Sequence, residues 1–104
     1  MIDVWINCPD EDTARTIGRT LVEERLAACA NVFPAIGSAY HWDGAVETAE
    51  EIPLLVKSRS ALFDALSRRV EAIHPYDVPS IVAVPVVRVN ESYARWIEEE
   101  TQRS

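Results

Sequence analysis

One lysine, two cysteines, two histidines and three glycines are all that 104 residues contain of these types, and each shortage removes a class of function. Three scattered glycines leave no glycine-rich loop to cradle a phosphate, and neither a nucleophile motif nor a metal-protease helix is present. Cys8 and Cys29 are too few for a disulfide framework, so both are expected to be reduced thiols. No run approaches the ~20 apolar residues that span a bilayer, and the alternating start Met1-Ile2-Asp3-Val4-Trp5-Ile6-Asn7 lacks the order of an export signal. A soluble, cytoplasmic protein with no membrane partner is expected. Basic charge is short as well: 17 acidic against 10 basic residues leave a net charge of −7. That balance counts against a nucleic-acid groove, which needs a clustered basic surface.

What is present fits one globular domain over residues 1–104, 48% hydrophobic and 26% charged, with no repeat or linker. Ile2, Val4 and Ile6 alternate with Asp3, Trp5 and Asn7, the period of a strand with two different faces. Asp10, Glu11 and Asp12 then precede Ala14, Ile17, Leu21 and Val22, an acidic helix start, and this helix should end around Arg25 to Ala28. Two strand-like arms, 29–42 and 45–58, flank Asp43-Gly44, a pair suited to the positive φ that both positions of a type I′ turn require. Arms of ~14 residues reach roughly 45 Å, against a radius of gyration near 13 Å for a 100-residue domain, so the hairpin must overhang its own domain. With a two-residue turn, Pro34 faces Pro53 in a hydrogen-bonded pair where neither can donate an N–H. A bulge, bend or change of partner is expected there, carrying Tyr40 and Trp42 away from the main sheet. Exposed edges and aromatic side chains on such a ribbon invite self-assembly.

Leu62, Leu66, Val70 and Ile73 recur at helical spacing after Ser58 and Ser60, either of which could cap, and this helix stops before His74-Pro75. Residues 81–89 are dense in β-branched side chains and read as the fourth strand, with Pro85 marking an edge or bulge. Asn90 to Ser92 cap a last helix carrying Tyr93, Trp96 and Ile97 on one face. The fold class is therefore α+β: a ferredoxin-like βαββαβ unit plus a C-terminal helix, an antiparallel sheet with helices on one face, and a long projecting β-hairpin.

Few residues can carry chemistry. His41 alternates within a strand and reads as a surface position, whereas His74 precedes the rigid Pro75-Tyr76 turn, where its ring is either hydrogen-bonded or a metal contact. Cys8, Cys29 and His74 are the soft ligands that would suit copper or zinc, but none is spaced as a metal motif, so any site must be assembled by folding or between subunits. Cys29, among Ala27, Ala28 and Ala30, also reads as a small buried hydrophobe. Lys57 either serves an anion or pairs with an acid such as Glu51. Glu50 and Glu51 are neighbours on a strand and point to opposite faces, so they do not form an acid–base pair, and no enzyme is expected.

Five stretches occur together and in order: Leu21-Val22-Glu23-Glu24-Arg25-Leu26-Ala27-Ala28-Cys29-Ala30-Asn31, Tyr40-His41-Trp42-Asp43-Gly44, Glu51 with Leu54-Leu55-Val56-Lys57-Ser58, His74-Pro75-Tyr76-Asp77-Val78-Pro79, and Tyr93-Ala94-Arg95-Trp96. In these the chain resembles the CutA family of divalent-cation tolerance proteins over nearly its full length. The resemblance implies a ferredoxin-like subunit in a homotrimer whose sheets pair edge to edge, similar in plan to PII signalling proteins. It further implies a role in metal-ion response through copper-type or other divalent cations, with no required cofactor and no catalysis. Cys29, Tyr40, Trp42, Gly44, Glu51, Lys57, His74, Pro75, Tyr76 and Trp96 match the motif positions, His74 being the leading metal contact and Cys29 a weaker one. The chain departs from the family pattern at Ala45, Pro53 and Ser80. Some relatives carry a first-strand cysteine implicated in copper binding; Ile6 stands there and Cys8 follows two residues on, about 7 Å away, so that role is not carried over. The alternative reading is a PII-like scaffold that binds a small anion or a protein at clefts between subunits, using Lys57 and Arg59 near a strand-to-helix junction.

Overall fold

The computed structural model describes residues 1–103. Nine elements follow in order: β1 (Ile2–Cys8), α1 (Glu11–Glu23), β2 (Cys29–Val32), β3 (Ile36–Trp42), β4 (Ala45–Ser58), a single 3-10 turn (Ser60–Leu62), α2 (Phe63–Ile73), β5 (Ile81–Pro85) and α3 (Glu91–Glu100). The sheet is antiparallel, ordered β2-β4-β1-β5, with β3 pairing to the outer half of β4. This is the expected α+β arrangement, with the first hairpin arm divided in two.

The alternation in β1 sends Ile2, Val4, Ile6 and Cys8 into the core, where they meet Leu54 and Val56 of β4. Ala14, Ile17 and Leu21 of α1 and Leu66 and Val70 of α2 close over the same face. Asp10 caps α1 by accepting the Thr13 N–H at 2.7 Å. The helix ends at Glu23, earlier than the expected Arg25 to Ala28, because Arg25 takes a left-handed φ of 58°. Leu26 N–H then reaches back to the Leu21 carbonyl and Arg25 N–H to that of Val22, satisfying two terminal carbonyls. Neither serine caps α2; Ser58 instead donates to the Leu26 carbonyl at 2.6 Å, and the 3-10 turn leads into the helix.

Asp43 and Gly44 both take positive φ, 52° and 79°, as a type I′ turn demands. The arms are interrupted as the prolines require. Three residues, Phe33 to Ala35, lie between Val32 and Ile36 on one arm, while only Ile52 and Pro53 lie between Glu51 and Leu54 on the other. The extra residue is a bulge, and the Phe33 N–H bonds to the Pro53 carbonyl across it at 2.9 Å. Beyond this point β3 and the outer half of β4 form a two-stranded ribbon, and the molecule measures 45 Å along its longest axis against 26 and 22 Å across.

The fourth main-sheet strand is shorter than expected. β5 ends at Pro85, opposite Ile2 at the start of β1, and Val86 N–H bonds to the Met1 carbonyl, so Val87, Arg88 and Val89 lie outside the β1–β5 ladder. It is an edge strand, as Pro85 suggested.

Candidate functional site

The ribbon leaves the sheet beside the loop that follows α2, and a cavity of about 690 Å³ lies between them. One wall is the ribbon face on which Tyr40 and Trp42 alternate; across the ladder that face carries Glu47 and, nearer the root, Glu51. The other wall is the segment from Pro75 to Ser80, and Asn7 at the end of β1 forms part of the floor.

His74 fixes this second wall. It ends α2 with an extended backbone, ψ 138°, as a residue before proline should. Its ring is buried; Nε2 lies 2.8 Å from the Asn7 carbonyl, and Nδ1 accepts the Tyr76 backbone N–H at 3.1 Å. An Nδ1 that accepts leaves the proton on Nε2, which donates to Asn7. The Tyr76 ring rests against the imidazole, with centroids 4.7 Å apart, and its hydroxyl donates to Oε2 of Glu51 at 3.0 Å. Burial, then the bond to Glu51 and the charge of that carboxylate, push the Tyr76 hydroxyl up to about 12. Cys8, fully buried nearby, is pushed up to about 11, first by burial and then by Asp10 and Glu51, so it is a thiol at neutral pH.

The other expected site residues lie elsewhere. Cys29 stands beside Lys57 and shares a 3.5 Å hydrogen bond with the Tyr93 hydroxyl, which this bond and burial together raise to about 12. His74 holds the end of β1 that pairs with Pro53, four residues from Lys57 along β4, or about 13 Å. Cys29 and His74 therefore do not converge in one chain. Among the described residues no three His, Cys, Asp or Glu side chains cluster as a metal centre, and a metal contact from His74 requires release of the Tyr76 N–H from Nδ1. The donors of a single chain do not fit a resident metal.

Lys57 pairs with Asp3, not with Glu51. The two are directly opposed across β1 and β4, with Nζ 3.0 Å from Oδ1, whereas Glu51 lies six residues along the same strand, about 20 Å away. Arg59 is likewise occupied, donating to the Thr101 hydroxyl at 2.9 Å and to the Gln102 carbonyl. The cations expected to attract an anion are thus bonded within the chain, and among the described residues neither lysine nor arginine lines the cavity. The Glu51–Tyr76 bond joins residues 25 positions apart, and no local spacing announces it.

A family model described as CutA1 divalent ion tolerance protein matches residues 2–100. The chain belongs to this CutA1 family. It is 49% identical to the divalent-cation tolerance protein CutA of Thermus thermophilus, over 94% of this chain and 95% of that protein. It is 46% identical to a CutA homolog of Danio rerio, over 90% of this chain but 63% of that longer protein. The solved Thermus CutA1 structure superposes with a TM-score of 0.94 at 48% identity, covering 98% of this chain and 100% of that one. CutA1 from Oryza sativa gives 0.95 at 38% identity, covering 99% and 94%. A CutA from Archaeoglobus fulgidus, described as periplasmic, gives 0.94 at 36%, covering 98% and 100%. In this CutA1 member three of the five stretches line the cavity, through Tyr40 and Trp42, Glu51, and Pro75 to Val78, while the other two meet each other through Cys29 and Tyr93. Among the described residues no helix is long and apolar enough to cross a membrane.

Proposed function

We propose that this protein works as a homotrimer that binds divalent, copper-type cations in a metal-ion response. The observation that carries the assembly is an apolar row on the sheet face opposite α1 and α2. Val82, Trp5 and Leu55 lie in register across β5, β1 and β4, Phe33 packs against Trp5 at 5.3 Å, and Val82 and Phe33 remain exposed. Such a face, bordered by an unpaired β5 edge, suits burial against further copies of the same chain. Membership of the CutA1 family supports the cation role.

The cation is cargo, held by donors that more than one chain brings together. His74 is the leading contact and Cys29 the weaker one, and the net charge of −7 per chain draws cations towards the assembly. The reading places the protein in the cytoplasm, where Cys8 and Cys29 stay reduced. It includes no catalytic step. Sedimentation equilibrium at micromolar concentration should return three times the 11.7 kDa chain mass, and a species of one chain mass overturns the assembly. Calorimetry with Cu²⁺ on wild type and His74→Ala tests the ligand, since equal affinities remove His74 from the site.

A further inference from the structure

We propose that the ribbon is a hinged arm whose direction is fixed by one brace, the hydrogen bond from the Tyr76 hydroxyl to Glu51, and that this preset direction lets it pack against a second copy of the chain. The brace stands on the geometry of one chain, whereas its use in assembly rests on the trimer reading above. The hinge is the ribbon root. β3 pairs with β4 alone, so the ribbon has two strands and no third to stiffen it. At the root the ladder is interrupted by the bulge at Phe33 to Ala35, and neither Pro34 nor Pro53 has an N–H to donate across it. The Phe33 N–H on the Pro53 carbonyl joins the two arms there.

The body reaches this arm through one chain of contacts. His74 donates to Asn7 at the end of β1 and orients Tyr76 through the backbone N–H and the ring face. Tyr76 then donates to Glu51 at the innermost rung of the ribbon, opposite Ile36. Among the described residues no other side chain between Ile36 and Glu51 hydrogen-bonds or ion-pairs with the body. Glu51 is buried, where a bond to a carboxylate is stronger than one in water. Beyond the brace, the cavity of about 690 Å³ leaves the arm room to swing towards Pro75 to Ser80. Glu51 lies two residues from Pro53, about 7 Å, and the turn lies eight or more residues from it, about 26 Å. A shift of about 1 Å at Glu51 therefore moves the tip by about 4 Å, more than a close-packed interface tolerates. His74 is a positioning residue in this device, because it acts on the ribbon only through Tyr76.

Double electron–electron resonance reads the direction of the arm. Spin labels are placed at Thr48→Cys on the ribbon and Glu71→Cys on α2, both exposed, in a Cys29→Ser background where Cys8 is fully buried. Unlabelled chain is added in excess, so that only distances within one chain are read. With the brace intact one narrow distance is expected. Tyr76→Phe and Glu51→Leu should each broaden it, the braced fraction falling about tenfold relative to the unbraced. Glu51→Gln keeps an acceptor for the hydroxyl and should stay narrow, as should Glu50→Gln on the other ribbon face, opposite Gly37. An unchanged distribution in Tyr76→Phe or in Glu51→Leu, or a Glu51→Gln distribution as broad as that of Glu51→Leu, overturns the brace. Should one of the two broadening variants fail to fold by circular dichroism, the other decides. Sedimentation velocity over a dilution series tests the use in assembly, and Tyr76→Phe should dissociate at about tenfold higher concentration than wild type. An assembled wild type matched by Tyr76→Phe overturns that use. A wild type of single chain mass overturns the trimer reading instead, and the distances still decide the brace.

Discussion

Nε2 of His74 donates to the carbonyl of Asn7 at 2.8 Å, tying the end of α2 to the end of β1 across 67 residues of chain. Because Nδ1 accepts from Tyr76 at the same time, one side chain sets both the exit of the helix and the direction of the loop that walls the cavity. His74→Ala leaves a backbone acceptor and a backbone donor unpaired in a buried place, and should lower stability by about 2 kcal/mol. His74→Gln keeps a donor for Asn7 and should recover part of that loss. Urea midpoints of the three proteins check this, and an alanine variant as stable as wild type would show that the imidazole is not structural.

Alkaline pH should weaken the fold in two stages. Cys8 titrates near 11 in the folded protein against 9.0 in the open chain, and Tyr76 and Tyr93 near 12 against 10.0. In each case the folded state holds its proton more tightly, so the stabilisation is complete below the open-chain value and is lost as pH rises through the folded one. The melting temperature should fall from about pH 9, first through Cys8 and then through the tyrosines. Cys8→Ala should flatten the early part of the profile and Tyr76→Phe the later part. Unchanged slopes in both variants would contradict the assignment.

Gly18→Ala should destabilise the protein although alanine is the better helix former. A Cβ there would stand 3.0 Å from Cβ of Ala30 and 3.1 Å from Cδ1 of Leu54, where α1 crosses the sheet. The propensity gain is about 1 kcal/mol and overpacking costs about 1–3 kcal/mol, so a net loss is expected. A rise in melting temperature would refute it.

Gly44→Ala separates backbone strain from packing. A Cβ at Gly44 meets nothing within 4 Å, but φ of 79° disfavours any L side chain by about 1–2 kcal/mol. Hydrogen exchange should accelerate in Tyr40–Glu47 while β1 and the inner half of β4 keep their protection. Uniform acceleration across the sheet would mean that ribbon and core unfold as one unit.

The residues that break or turn the chain were the most legible. Pro34 and Pro53 announced the interrupted hairpin, Asp43-Gly44 its turn, and His74-Pro75 the end of α2, because each acts on backbone geometry within a few positions. Partner choice was not legible. Val86 to Val89 carry strand-forming side chains but outrun β1, and strand propensity cannot register where the neighbour ends. Lys57 forms an ion pair as its isolation suggests, but with Asp3 and not Glu51, because Asp3 is near only through the β1–β4 register. The cavity's Glu51–Tyr76 pair is hidden for the same reason: it joins a strand to a distant loop, and no periodicity reports that contact.

The extra residue between Val32 and Ile36 gives the hairpin two independent phases. Had the turn's register continued inward, Ala30 would face Lys57, and Asn31 would take its place opposite Val56 on the core side. Instead Ala30 and Val32 pack on the core and Asn31 stays exposed. The root of the ribbon thus works as a coupling that transmits position but not parity. Ribbon and body are each phased by their own pairing, and closing the bulge by removing one residue of Phe33 to Ala35 would carry Asn31 to the core side opposite Val56.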